Sequence, residues 1–186
     1  MTFIKKTHTA QRMAACAMAA ALAVIVAAGV SSCESVSCPL NNTVESVYTF
    51  YASSRDASGT LVDGQAISVG DTLTVKAVVQ GRDTTLVNRV YNKSGISLPV
   101  SYYADVDTLV FSFTDTDGLT ATDTVWMSKQ SRHHFDDPSC PVHMFHNVTA
   151  VSCTHQVMDT IVVVNAQIDY DGLENFQIYF YTDESE

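Results

Sequence analysis

Short runs in which apolar and polar residues alternate are the feature that most constrains how this chain can fold. In residues 72–80, TLTVKAVVQ, the side chains of Leu73 and Val75 fall on one side of an extended backbone and the threonines fall on the other. The same alternation recurs at 108–113, TLVFSF, and at 175–182, NFQIYFYT. Because successive side chains of a strand point to opposite faces, this two-residue period predicts β-strands. No stretch after the N-terminal region keeps the 3.6-residue period of an amphipathic helix.

The number and spacing of these runs predict the fold class. About nine runs rich in Val, Ile, Thr, Tyr and Phe follow one another after residue 38, and this composition favours strands. Turn-forming pairs separate them, namely Ser58-Gly59, Asp63-Gly64, Val69-Gly70, Ser94-Gly95, Asp117-Gly118 and Asp171-Gly172. We therefore expect an all-β domain over residues 38–186, an antiparallel β-sandwich of immunoglobulin-like size that follows an N-terminal signal helix. Residues 55–68 show no clear pattern, which predicts a mobile loop.

The N-terminal region has the organisation of a secretory signal. Residues 1–12 carry Lys5, Lys6 and Arg12 and no acidic residue, and residues 13–30 form an 18-residue run without charge or proline. A basic segment, an apolar segment and small residues before a cleavage site define such a signal. The run is also just long enough to cross a bilayer, so an uncleaved anchor helix is the alternative.

The residues after the apolar run resemble a lipobox, the lipidation signal of bacterial lipoproteins. Val30 is followed by two serines and then by Cys33. The resemblance implies that the thiol of Cys33 receives a lipid and that the signal, residues 1–32, is removed. Residues 33–37 would then form a short tether, and the protein would be anchored in the cell envelope, on the periplasmic or surface face of the outer membrane. Two or three acyl chains hold a protein firmly, since each buried methylene contributes about 0.8 kcal/mol.

Loss of residues 1–32 would make an acidic chain more acidic. The net charge is −10, and removal of three cationic and no anionic residues leaves −13. A domain of this charge repels nucleic acids and anionic lipid headgroups. We therefore expect no nucleic-acid partner, and we expect the N-terminal lipid to hold the protein at the membrane.

The cysteines of the exported domain allow one disulfide. If Cys16 leaves with the signal and Cys33 is lipidated, Cys38, Cys140 and Cys153 remain. An oxidising compartment permits a bridge, and three cysteines allow three pairings. We favour Cys38 with Cys140 because each lies in the sequence Ser-Cys-Pro, where proline favours a loop or the start of a strand. The other pairings and a chain without a bridge remain alternatives.

The dipeptide Asp-Thr occurs six times, and in four cases an aliphatic residue follows directly. A structural explanation suffices, because aspartate accepts hydrogen bonds from the backbone of a turn and threonine is a good first residue of a strand. The pattern also resembles the O-glycosylation acceptor of exported Bacteroidota proteins. That resemblance makes five threonines candidate sites: Thr72, Thr84, Thr108, Thr124 and Thr160.

Residues 132–146, RHHFDDPSCPVHMFH, form the densest group of polar side chains. Imidazole nitrogens are good ligands for zinc and copper, which makes a metal-binding domain the alternative function. Its ligands would be His133, His134, His143 and His146. The spacing argues against this site, because residues three apart in a strand, such as His143 and His146, point to opposite faces. We therefore predict exposed or structural histidines and no metal or other cofactor.

No pattern of an enzyme active site stands out. The sequence has no glycine-rich phosphate loop, nucleophile elbow or dinucleotide-binding fingerprint. Residues 115–118, DTDG, lack the later ligands of a calcium loop and predict a hairpin turn. The pairs Tyr102-Tyr103 and Tyr179/Tyr181 offer aromatic rings to a sugar or a peptide, although alternating aromatic residues usually pack within a sheet. We expect a protein without catalytic residues.

Several stretches together resemble a known family. The most specific are residues 38–41, CPLN, residues 139–146, SCPVHMFH, and residues 174–180, ENFQIYF. They are similar to small Bacteroidota lipoproteins classed as domain of unknown function 6452, over nearly the whole chain after the signal. The resemblance implies a secreted β-rich lipoprotein with paired Cys38 and Cys140, and it implies no activity. We expect a non-enzymatic, lipid-anchored binding or accessory module for an envelope protein or a glycan.

Overall fold

The computed structural model describes residues 38, 44–62 and 64–181, and the β-strand is the only regular structure in them. The chain divides into two compact units, Met1–Cys38 and Pro39–Glu186, and all the strands belong to the second. They are β1 (Glu45–Ala52), β2 (Ser54–Arg55), β3 (Leu61–Val62), β4 (Thr72–Val79), β5 (Arg82–Val90), β6 (Gly95–Pro99), β7 (Val106–Thr114), β8 (Thr120–His134), β9 (His143–Cys153), β10 (Met158–Val163), β11 (Gln167–Ile168) and β12 (Glu174–Phe180). Nine of these strands have five or more residues, in agreement with the nine alternating runs of the sequence.

The predicted signal helix lies outside the described residues, and so do the lipobox and the tether of residues 33–37. Among the residues that the structure describes, no helix has the length and apolar character needed to cross a membrane. The structure therefore bears on the predicted domain of residues 38–186 and leaves the N-terminal signal as a prediction.

Two sheets form the sandwich and confirm the predicted all-β class. One sheet has four strands in the order β10-β12-β1-β6, and the other has six in the order β11-β9-β8-β7-β4-β5. The described strand pairs are antiparallel with one exception, since β1 runs parallel to β12 and places Tyr48 beside Phe176. This pair joins the first and last described strands, which no local sequence pattern predicts.

Large aromatic side chains from both sheets fill the core. Tyr48 of β1 stacks on Phe176 of β12 with ring centroids 4.7 Å apart, and Phe111 of the other sheet meets Tyr48 edge-on at 6.0 Å. Phe180 of β12 packs edge-on against Phe113 of β7. All five rings are buried. The apolar positions that alternate in the sequence therefore pack together in one core at the density of a protein interior.

Residues 55–68, predicted as a mobile loop, contain a short hairpin. β2 and β3 pair as two-residue strands, and the carboxylate of Asp56 accepts the backbone N–H of Thr60 at 2.9 Å. Arg55 forms an ion pair with Asp159 over 2.6 Å. The residues of this pair are 104 positions apart, so no local sequence pattern announces it.

The strand directions divide the loops between two ends of the sandwich. β1 begins at Glu45, which lies opposite Pro99 at the end of β6, and we call this the entry end. Its loops are 80–81, 100–105, 135–142, 164–166 and 169–173. The opposite end, which we call the far end, holds the segments 91–94, 115–119 and 154–157.

Candidate functional site

An apolar groove opens at the entry end between the β4–β5 turn and the loop 100–105. Its volume is about 490 Å³. Aliphatic side chains dominate the lining: Ala77, Val79, Leu86, Val100, Val106 and Leu109. Tyr102 and Tyr103 also line it. Concave sites of this size and composition are where proteins usually bind small molecules or side chains of a partner.

The groove exists because the core-facing row of β4 runs beyond the buried core. Leu73 and Val75 begin this row and are buried, whereas Ala77 is half-buried and Val79 is exposed. The smaller sheet offers its edge strand β6 at this side, and β6 ends at Pro99. The loop 100–105 contributes the opposite wall of the groove.

A buried ion pair fixes the loop that carries the two tyrosines. The ammonium of Lys129 in β8 lies 3.2 Å from a carboxylate oxygen of Asp107 in β7, and the two side chains are 0% and 10% exposed. The same ammonium donates to the backbone carbonyl of Ala104 and to the hydroxyl of Ser101. Ser101 donates its hydroxyl and its backbone N–H to Asp107. The loop is therefore held near both of its ends by one hydrogen-bonded network.

Lys129 was not among the residues predicted from the sequence, although the sequence carries a signal for it. Val125, Met127 and Lys129 follow one another at two-residue spacing in β8, and all three are buried. A lysine in a core-facing row requires a buried acidic partner. Asp107 lies opposite Met127 on the neighbouring strand, and only the strand pairing shows which acidic residue this partner is.

The two tyrosine pairs considered as aromatic surfaces lie in different environments. Tyr102 and Tyr103 are exposed, with ring centroids 6.3 Å apart and ring planes tilted by 45°. Tyr179 is buried and stacks on Tyr51 of β1, whereas Tyr181 is exposed beyond the end of β12. Of the two pairs, Tyr102 and Tyr103 therefore present neighbouring rings beside the groove.

The four candidate metal ligands do not converge on one point. His134 of β8 lies directly opposite His143 of β9, but His133 and His146 each lie opposite a residue that is not a histidine. The ring of His134 stacks on Phe145 with centroids 4.0 Å apart. In the part of the chain that the structure describes, no group of three His, Cys, Asp or Glu side chains is arranged to hold a metal ion. The geometry therefore gives no support to the metal-binding alternative.

His146 is buried in the sandwich rather than exposed to solvent. Its Nδ1 lies 2.8 Å from the hydroxyl oxygen of Ser131 on β8. Burial and then the positive charge of Lys129 lower the pKa of His146 to about 4, against a smaller opposing effect of Asp107. The imidazole is therefore neutral at pH 7, and His146 is a structural residue.

Comparison with known proteins assigns the chain to a family. Residues 72–180 match the family of unknown function DUF6452, and this match covers more than half of the 186 residues. The chain belongs to DUF6452. The matched region runs from β4 to β12 and includes the groove and Cys140, and it begins after Cys38. No curated protein and no solved structure matches the chain.

The cysteines of this DUF6452 protein agree with the predicted bridge. Cys38 and Cys140 are both disulfide-bonded, and Cys153 in β9 is the free cysteine among the described residues. Burial, followed by the negative charges of Asp123 and Asp159, raises the pKa of the Cys153 thiol to about 11. Such a thiol carries little thiolate at neutral pH and is a poor nucleophile, so Cys153 acts in the fold as a partly buried small hydrophobe.

In three of the Asp-Thr pairs of the DUF6452 protein, the aspartate is buried and accepts hydrogen bonds. These aspartates are Asp107, Asp123 and Asp159, each at most 9% exposed. The threonines that follow them are half-buried in strands: Thr108, Thr124 and Thr160. Thr72 is also half-buried, whereas Thr84 is exposed and lines the groove. Among the candidate glycosylation sites, Thr84 is thus the one whose neighbourhood leaves most room for a glycan.

Proposed function

We propose that this DUF6452 protein is a non-enzymatic binding module, held at the cell envelope by lipid on Cys33, whose groove receives an apolar part of an envelope protein. The groove of about 490 Å³ carries the proposal. Concave, mainly apolar sites of this volume are where proteins usually bind side chains of a partner or small molecules.

The lining favours protein side chains over a glycan. Its polar members are Gln80, Thr84, Ser101, Asp107 and Thr108. Ser101 and Asp107 are already engaged with each other and with Lys129. A sugar buried here would leave many hydroxyl groups without partners, whereas apolar side chains gain about 25 cal/mol for each Å² removed from water.

The buried ion pair prepares the groove for its partner. Because Lys129 and Asp107 hold the loop 100–105, the backbone that carries Tyr102 and Tyr103 is ordered before binding. Ordering of this kind lowers the entropic cost of association, which is about 0.5–1.5 kcal/mol for each immobilised side chain. The hydroxyl of Ser101 is committed to Asp107, and we assign no catalytic residue.

Site-specific photocrosslinking in intact cells tests the groove. A photoactivatable amino acid at Val106, which lines the groove and is exposed, is expected to give a discrete product with an envelope protein. The matched control is Leu119 at the far end, which is 71% exposed and is expected to give none. Thr84→Trp fills the groove from an exposed position and should abolish the Val106 product. A product that persists in Thr84→Trp, or that forms equally at Leu119, would show that the groove is not the binding site.

Fatty-acid labelling tests the anchor separately. Cys33→Ser is expected to remain uncut and unlabelled, because a serine hydroxyl is too weak a nucleophile to take the lipid in place of the thiol. Cys16→Ser lies within the signal and should leave cleavage and labelling unchanged. Labelling that persists in Cys33→Ser would exclude lipid attachment at this residue.

A further inference from the structure

The exposed apolar side chains of the domain are concentrated at its entry end. Thirteen large hydrophobic side chains are exposed among the described residues. Four of them lie at the far end, namely Val62, Tyr91, Leu119 and Tyr181. One, Trp126, lies on the outer face of the larger sheet. The remaining eight lie in or beside the loops of the entry end.

Each connection at the entry end contributes to this set. Tyr102 and Tyr103 lie in the loop 100–105, and Tyr103 is 98% exposed. Phe135 and Val142 are the first and last residues of the loop 135–142. Val79 ends β4 and Val106 begins β7. Val164 is the first residue of the loop 164–166, and Leu173 is the last residue of the loop 169–173. Most of the exposed apolar side chains therefore belong to the loops of one end of the domain. Six residues of β8 lie between Phe135 and Ser128, the residue opposite Val106, so the hairpin of β8 and β9 carries Phe135 and Val142 beyond that level.

The chain also enters the domain at this end. β1 begins at Glu45, and the predicted lipid attachment site Cys33 lies twelve residues earlier. Disulfide-bonded Cys140 lies in the loop 135–142 of the same end. With Cys38 as its partner, as the sequence predicts, four residues lie between the bridge and Cys33, and the five residue steps span at most about 18 Å.

We propose that the entry end rests on the lipid bilayer, with Tyr102, Tyr103 and Phe135 in the headgroup region. This inference rests on the lipid anchor proposed above. Tyrosine rings concentrate at membrane–water interfaces, because the ring is apolar and the hydroxyl stays hydrated. A short tether keeps the apolar loop tips close to the surface, so the contact adds apolar burial to an attachment that already exists.

The charges of the entry end select the type of lipid. Its five loops contain five aspartates and no lysine or arginine: Asp105, Asp136, Asp137, Asp169 and Asp171. An anionic bilayer repels such a surface. The contact therefore requires zwitterionic headgroups, and the groove opens beside the membrane, where an envelope partner would reach it.

Tryptophan fluorescence tests the contact in the full-length, lipid-bearing protein. Trp126→Phe removes the single natural tryptophan, and Tyr103→Trp adds a reporter at the entry end. In phosphatidylcholine vesicles, brominated acyl chains are expected to quench this reporter relative to unbrominated chains, because interfacial aromatic rings lie at the boundary between headgroups and acyl chains. Phe135→Trp should behave in the same way, and Leu119→Trp at the far end should not be quenched.

The outcomes separate this inference from the proposed function. A protein that floats with the vesicles while both entry-end reporters stay unquenched would overturn the bilayer contact alone, and so would equal quenching at position 119. A protein that fails to float would overturn the contact together with the anchor. Replacement of half the lipid by phosphatidylglycerol should weaken quenching at position 103, and stronger quenching would refute the charge argument. The crosslinking experiment at Val106 tests the groove, and it does not test the bilayer contact or the lipid anchor.

Discussion

Each buried charged side chain in the described part of the domain holds a loop or the short β2–β3 hairpin. Lys129 and Asp107 hold the loop 100–105, Asp159 holds the β2–β3 hairpin through Arg55, and Asp123 holds the connection between β9 and β10. Among the described residues, no buried side-chain nitrogen or oxygen lacks a hydrogen-bond partner. Because a buried polar group is costly to leave unpaired, substitutions that remove one partner should have large effects.

Lys129→Met tests the pair at the base of the groove. The substitution leaves the carboxylate of Asp107 buried without a cation, and we expect the free energy of unfolding to fall by about 3–5 kcal/mol. Urea denaturation measures this loss. Lys76→Met is the matched control, since Lys76 forms an ion pair of 3.7 Å with Asp83 on the surface, and such pairs contribute about 0–1 kcal/mol. Equal losses in the two variants would refute a special role of the buried pair.

His146 makes a prediction about pH. Burial and the charge of Lys129 lower the pKa of His146 to about 4 in the folded protein from an ordinary value of 6.5. Between these values the unfolded chain binds a proton that the folded protein does not, so the free energy of unfolding falls as the pH drops from 6.5 to 4. The loss attributable to His146 is about 3 kcal/mol.

His146→Gln should remove this part of the pH dependence, because glutamine does not titrate. The exposed His155→Gln is the control and should leave the slope unchanged. Urea denaturation at intervals between pH 4 and pH 6.5 measures the slope. The depressed pKa values of Asp123 and Asp159 add a slope of their own below about pH 5, so the comparison of the two variants is decided between pH 5 and pH 6.5. A slope that survives in His146→Gln would assign it to another group.

Residue types alone gave little of the candidate site. Tyr102 and Tyr103 were considered as an aromatic surface, but packing within a sheet was favoured for them, and they are exposed beside the groove. The Lys129–Asp107 pair was not predicted, because two residues 22 positions apart meet only after β7 and β8 pair. The histidines stood out in the sequence by their density, yet strand register places only His134 and His143 opposite each other, and register is a long-range property.

Strands were predicted best where apolar and polar residues alternate along the whole strand. β4 was predicted from the alternating run 72–80 and spans Thr72–Val79. β8 has 15 residues, Thr120–His134, and is longer than any alternating run quoted from the sequence. Its last residues pair with β9, and their polar side chains hide this extension from a search for alternating apolar residues.

The connection between β9 and β10 depends on one carboxylate. Asp123 of β8 accepts the hydroxyl of Thr154 and the backbone N–H groups of Gln156, Val157 and Met158. Burial would raise the pKa of Asp123, but these hydrogen bonds together lower it. The stabilisation is therefore present while the carboxylate is ionised, and it is lost when acid protonates Asp123.

Asp123→Asn should destabilise the β9–β10 connection in particular. Asparagine keeps one acceptor oxygen and replaces the other by a donor that faces backbone N–H groups, which we expect to cost about 1–3 kcal/mol. Hydrogen exchange should be faster at the amides of Val157 and Met158 than in the wild type. Asp117→Asn in the exposed β7–β8 turn is the control. Unchanged exchange at Val157 and Met158 would show that the carboxylate does not hold this segment.

At the scale of the whole molecule, the sandwich is closed by contacts that are distant in the sequence. The parallel pairing of β1 with β12 joins Val47 to Glu174 and Ala52 to Phe180, and this topology was not predicted. The all-β class was predicted, because alternation and turn residues are local signals. The predicted bridge between Cys38 and Cys140 agrees with the bonded state of both cysteines. This bridge could be predicted because the sequence Ser-Cys-Pro around each cysteine is also a local signal.

The disulfide is expected to stabilise the folded domain. A disulfide between Cys38 and Cys140 closes a loop of roughly a hundred residues, which the chain-entropy description values at about 4.7 kcal/mol. Reduction, or Cys38→Ser with Cys140→Ser, should lower the free energy of unfolding by an amount of that order, whereas Cys153→Ser should change it little.

A thiol assay on the unfolded, unreduced domain should find one free thiol, that of Cys153. The raised pKa of this thiol should delay its reaction in the folded protein. Three free thiols would show that the bridge does not form, and one free thiol with unchanged stability after reduction would show that closing this loop does not stabilise the sandwich.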